Sequence, residues 1–135
     1  MLLNASEISS RLVSDLRLGV PIILFDKKQS VLVAAIETLS PEKLEKINQI
    51  TENKKLEIAI TNRRARVLNA RIYNEAVTRL FIEEKIDIQL LYSIADPSKD
   101  LEYPLKGPFQ SIRDGNFDIA SVTLSLCKKA RLLPA

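Results

Sequence analysis

Two short apolar runs rich in branched residues stand five positions apart near the start of the chain, at residues 20–25 (VPIILF) and 31–36 (VLVAAI). Continuous apolar runs of this length predict strands covered on both faces. The polar spacer Asp26-Lys27-Lys28-Gln29-Ser30 has hairpin length, so the two strands are expected to pair antiparallel. Helices must supply the cover. Before the hairpin, Asn4 and Glu7 make an Asn-type capping box, and Ile8, Leu12 and Leu16 recur at i+4 with Val13 widening the stripe. Gly19 fits the left-handed position past that helix, and Pro21 cannot continue it.

After the hairpin, Ser40 caps a second helix, Pro41 occupies its first position, and Leu39 with Leu44 forms a hydrophobic staple. Leu44 and Ile47 continue its buried side. Residues 56–60 (LEIAI) predict a third strand. Thr61 caps a helix to about residue 70, whose Arg63, Arg64 and Arg66 are expected to point outward. Residues 76–81 read as strand or helix, and strand is preferred. Asp87 caps a helix carrying Ile88, Leu91 and Ala95 that must stop before Pro97. Residues 96–115 hold Pro97, Pro104, Pro108, Gly107 and Gly115 and predict an irregular connection. Asp118 opens a last helix with Ile119, Val122, Leu126, Ala130 and Leu133 on one face.

The order predicts an α/β chain with one mixed β-sheet flanked by helices, and 135 residues fit a single domain, 1–135. Ile22, Leu24, Leu32, Val33, Ile58, Ile60, Val122 and Leu126 are the expected core. The chain has no histidine and one cysteine, Cys127. Imidazole-based catalysis therefore has no imidazole, a Cys/His zinc site has a single thiol to draw on, and an internal disulfide is impossible. Cys127 is expected to be a small buried hydrophobe, and a reducing, cytoplasmic setting follows. No apolar run reaches a membrane span, and the start MLLNASEISS lacks a secretory signal's regions. Net charge is +3, with basic groups at Lys54, Lys55, Arg63, Arg64, Arg66 and Arg71 and again at Lys128, Lys129 and Arg131. No aromatic residue lies between Lys54 and Arg71, which makes a solvated face a better reading than a nucleic-acid module.

Residues 16–44 (LRLGVPIILFDKKQSVLVAAIETLSPEKL) resemble the opening of 3,4-dihydroxy-2-butanone-4-phosphate synthase, an enzyme of riboflavin biosynthesis. "ITNRRARVL" at 60–68 is similar to that family's threonine-capped helix start. "SIADPSKDLEYPLKGPF" at 93–109 and "KKARLLPA" at 128–135 more closely resemble the synthase-like N-terminal domain of certain bacterial GTP cyclohydrolase II proteins. The resemblance implies a shortened synthase fold joined to a downstream domain where zinc, held by three cysteines, serves GTP hydrolysis. On that reading the chain is an excised N-terminal piece in preference to a free-standing remnant, and its expected partners are the cyclohydrolase domain and, through dimerisation, a second copy.

The synthase itself has a long acidic turn where this chain has Asp26-Lys27-Lys28-Gln29, a cysteine where Glu57 stands, and a histidine-bearing segment with no counterpart here. Its catalytic and magnesium-binding roles therefore cannot be carried over, and the resemblance implies a non-catalytic domain without a cofactor of its own. The residues singled out for ligand or interface contact are Lys106, Gly107, Arg63, Arg64, Arg66 and Arg71. The alternative is a reduced sugar-phosphate enzyme using Asp26, Glu57 or Lys106. For each there is a plainer reading: a solvated hairpin tip for Asp26, a paired acid for Glu57, and proline-fixed loop packing anchored by Phe109 for residues 104–109.

Overall fold

The computed structural model describes residues 4–51, 56–82, 86–102, 108–115 and 117–132. Helix α1 (Ala5–Arg17) starts where the Glu7 amide donates to Asn4 Oδ1 at 2.9 Å, and the Asn4 side-chain amide donates to the Glu7 carboxylate at 2.6 Å. Leu18 closes the helix and Gly19 follows at φ +76°, where an added Cβ would sit 2.7 Å from the Thr38 carbonyl oxygen. Glycine is therefore required there by both conformation and space. The chain then enters β1 (Ile22–Phe25), which pairs antiparallel with β2 (Ser30–Val33) in the register Ile22↔Val33 to Phe25↔Ser30.

A 3-10 turn (Ile36–Thr38) leads to α2 (Pro41–Ile50), capped by Ser40, whose hydroxyl accepts from the Lys43 amide. Leu39 and Leu44 are both buried, as a staple requires. Next come β3 (Glu57–Ile60) and the short helix α3 (Asn62–Val67), started by the Thr61 hydroxyl and ended by Asn69 at φ 58°. Asparagine tolerates this left-handed stop better than most residues, so α3 is shorter than the expected run to residue 70. β4 (Thr78–Phe81) pairs antiparallel with β3, Glu57↔Phe81 to Ile60↔Thr78. Helix α4 (Ile88–Ala95) begins at Asp87 and gives way to a 3-10 turn (Pro97–Lys99). The segment around Ser111 joins the outer edge of β4 through a Leu80↔Ser111 bridge, and α5 (Asp118–Lys129) follows.

Three apolar clusters hold these elements. The largest gathers Ile36, Leu39, Leu44, Ile47, Ile58, Ile60, Leu80, Leu91 and Ile94, with Phe109 packed at its margin. A second joins Leu16 of α1, Ile22 and Val33 of the first hairpin, and Leu126 and Cys127 of α5. Ala120 of α5 meets Ala59 and Val77 in the third. Full burial of a side chain such as Leu16 is worth roughly 1.5–3 kcal/mol.

Four expectations need correction. The strands form two separate two-stranded antiparallel sheets, not one mixed sheet. Val31 to Val33 together with Glu57 and Ala59 instead face a cleft of about 330 Å³, lined from α2 by Ile47 and Thr51 and from α5 by Ile119, Ala120 and Thr123. Side chains from two helices thus border the space that pairing of β2 with β3 would close. The first hairpin is covered on one face only: Ile23 is 61% and Phe25 77% exposed, and Leu24 and Leu32 are half-buried. Alternation of inward and outward side chains overrides the continuous apolar run. Val122 is 50% exposed, because α5 buries Ala120, Thr123, Leu126 and Cys127. The small side chains at 120 and 123 let the helix lie against β3 and Val77, and that turns Val122 outward. Arg64, expected on the surface, is buried, for reasons given next.

Candidate functional site

The basic residues read from the sequence do not make one surface. Arg63 and Arg66 are exposed on α3, while Arg64 turns into the molecule. Its Nη1 and Nη2 meet the Asp100 carboxylate at 2.8 and 2.7 Å, and Nη2 also reaches the Ser93 carbonyl oxygen at 3.1 Å. Nε donates to the Ile94 carbonyl oxygen at 2.8 Å. The clamp ties α3 to the end of α4 and to the 3-10 turn beyond it. A planar fork serves two carbonyls and a carboxylate at once, which lysine cannot do. Asp96 stabilises the same corner: its carboxylate accepts from the Ser98 hydroxyl and amide, and these bonds lower its pKa from the usual value.

Asp26 and Glu57 are both engaged. Asp26 Oδ1 accepts from the Lys28 and Gln29 amides at 2.7 and 2.9 Å and so organises its own hairpin turn. Glu57 takes a two-pronged ion pair from Arg79, Nε to Oε1 at 2.7 Å and Nη2 to Oε2 at 2.9 Å. Arg79 also donates to the Asp114 carbonyl oxygen and lies 4.9 Å over the Phe117 ring. It is the hub that joins β3, β4 and the approach to α5, and it stands on the wall of the cleft between the hairpins. Sequence reasoning passed it over because it sits in a run that reads as strand or helix, with no neighbouring charge to mark it.

Lys106 and Gly107, with Lys54, Lys55 and residues 133–135, lie outside the described residues. Arg71 is exposed and belongs to a different place. Its guanidinium carbon is 6.0 Å from the centre of the Tyr73 ring, and that of Arg113 is 5.9 Å from the same centre. Both line an open cleft of about 490 Å³ with Phe81, Phe109 and Ser111. Tyr73, Arg113 and Ser111 were not singled out by sequence. Their juxtaposition depends on residues 110–112 pairing with β4, where the Phe81 amide donates to the Gln110 carbonyl and the Ile112 amide to the Arg79 carbonyl.

Cys127 is buried in the second cluster, and burial pushes its thiol up to about 11. Lys128, Lys129 and Arg131 are exposed near the C-terminal end of α5, where the helix dipole favours positive charge. Among the described residues no three metal-ligating side chains converge, and no helix is long and apolar enough to cross a membrane. Comparison with protein-family models, with curated proteins and with solved structures finds no match to this chain.

Proposed function

We propose that the chain is a non-catalytic, synthase-like interface domain of a riboflavin-pathway GTP cyclohydrolase II, docking against the catalytic half of its parent or against a second copy. The fold-family assignment within this reading rests on the sequence resemblance. The observation that carries the interface role is the outer face of the first hairpin. Ile23 and Phe25 project into solvent from β1, whose second edge has no strand beside it among the described residues. Exposed apolar side chains on an unpaired edge strand invite association. The sugar-phosphate alternative is disfavoured by the engagement of Asp26 in its turn and of Glu57 with Arg79. A zinc site in the absent catalytic half would be the parent's cofactor.

The experiment is sedimentation of the chain over a wide concentration range, alone and with a cyclohydrolase catalytic domain, using wild type, Ile23→Lys and Phe25→Lys. Association lost in both variants, with their thermal unfolding unchanged, supports the reading. A chain that stays monomeric and does not bind the catalytic domain overturns it.

A further inference from the structure

The cleft formed by Arg71, Tyr73, Phe81, Phe109, Ser111 and Arg113 is independent of the hairpin face and of the interface reading. Two guanidinium groups converge on one tyrosine ring there, and among the described residues neither has a carboxylate within ion-pair distance. The cleft wall also carries Asp114, so two positive groups share one acidic neighbour and the site keeps a positive excess. An oxyanion within reach of the two arginines would take paired hydrogen bonds from them, because the guanidinium fork matches the oxygens of a phosphate.

A second observation points the same way. Ser111 Oγ is the one buried side-chain polar atom without a hydrogen-bond partner among the described residues. Such atoms are rare in folded proteins because the lost bond to water is not replaced. Ser111 belongs to the cleft wall, so a group bound there could supply the partner its hydroxyl lacks. Tyr73, Phe81 and Phe109 supply aromatic rings to a wall completed by Gln110, Ile112 and Asp114, and those rings favour a planar body over a saturated one. The cleft's volume of about 490 Å³ suits a small molecule.

We infer that this cleft binds a small phosphate monoester carrying an aromatic ring, with Arg71 and Arg113 on the phosphate, Ser111 as an additional donor, and the tyrosine and phenylalanine rings against the planar body.

The probes are phenyl phosphate, inorganic phosphate and benzyl alcohol, titrated into the whole chain by calorimetry and by amide chemical shifts. Phenyl phosphate is expected to bind about tenfold more tightly than inorganic phosphate, a difference of about 1.4 kcal/mol. Benzyl alcohol should not bind. The exposed positions make Arg71→Gln and Arg113→Gln tolerable to the fold, which thermal unfolding checks. Each should weaken phenyl phosphate about tenfold, and Ser111→Ala about threefold. Shifts should cluster at residues 71–73 and 109–113. Absence of phenyl phosphate binding, binding unchanged in both arginine variants, or equal affinity for the two phosphates would each overturn the assignment.

Discussion

Arg64 carries a full positive charge into a nearly closed site, and every partner it has is on other elements: Asp100, and the carbonyl oxygens of Ser93 and Ile94. Breaking such a set leaves buried carbonyl acceptors without donors and takes from the Asp100 carboxylate its two-pronged partner. Arg64→Ala should therefore lower stability by roughly 2–4 kcal/mol, discounted for the half-buried Asp100, in urea unfolding. Arg64→Lys should recover only part of that loss, because a single ammonium cannot span the same acceptors. Cys127 gives a pH prediction. Its pKa is raised in the folded state from 9.0 to about 11 by burial, so the folded chain holds the proton more tightly than the unfolded one. That contribution is complete below pH 9 and is lost as pH rises toward 11. The fall in stability over this window should be shallower in Cys127→Ala, and a thiol reagent at neutral pH should react only after unfolding. Burial of Cys127 was legible in the sequence, because it borders an apolar stripe. Burial of Arg64 was not: in "NRRAR" the three arginines look alike, and only the placement of Asp100, 36 positions away, distinguishes one of them.

At the scale of elements, the capping chemistry was the most readable layer. Asn4, Ser40, Thr61 and Asp87 each cap the helix they were expected to start, since those contacts are local and need no tertiary partner. The hairpin and the strand at 78–81 were legible from the same short range. The face of α5 was legible only in part: Leu126 and Ala130 of the expected stripe are buried, while Val122 is exposed. Its sequence offers two neighbouring stripes, one through Val122 and one through Ala120 and Thr123, and hydrophobicity alone prefers the bulkier one. The structure chooses the smaller residues because they approach Ala59 and Val77 closely. Val122→Lys should accordingly change stability by less than about 0.5 kcal/mol. Ala120→Leu should destabilise by roughly 1–3 kcal/mol, since the added methylenes have to displace β3 or the helix. A pair of denaturation curves separates the two stripes; equal sensitivity at both positions would contradict the observed face.

On the scale of the whole molecule, the expected single sheet fails because pairing between β2 and β3 is a long-range choice that neither strand's composition records. Each hairpin instead closes on itself, and the two are held in register by what packs across them. Helix α5 is the element that reaches both: Leu126 and Cys127 contact the α1 and first-hairpin cluster, while Ala120 sits against Ala59 of β3 and Val77. Arg17 strengthens the first of these contacts by donating to the Ala130 carbonyl oxygen at 3.0 Å. The second hairpin has a larger cluster of its own, from α2, α3 and α4. Cutting the α5 contact should thus loosen the two halves unequally. Leu126→Ala removes a buried side chain that bridges α1, β1 and β2, at a cost of roughly 2–5 kcal/mol. Hydrogen exchange should then show amides of Ile22–Phe25 and Ser30–Val33 losing protection while those of Glu57–Ile60 and Thr78–Phe81 keep most of theirs. The wild-type chain, with α5 seated on both, should lose protection in the two hairpins together. Loss of protection spread evenly over both hairpins of Leu126→Ala would mean that the sheets are coupled by some route other than α5, such as the packing of Leu32 and Ala34 on the larger cluster.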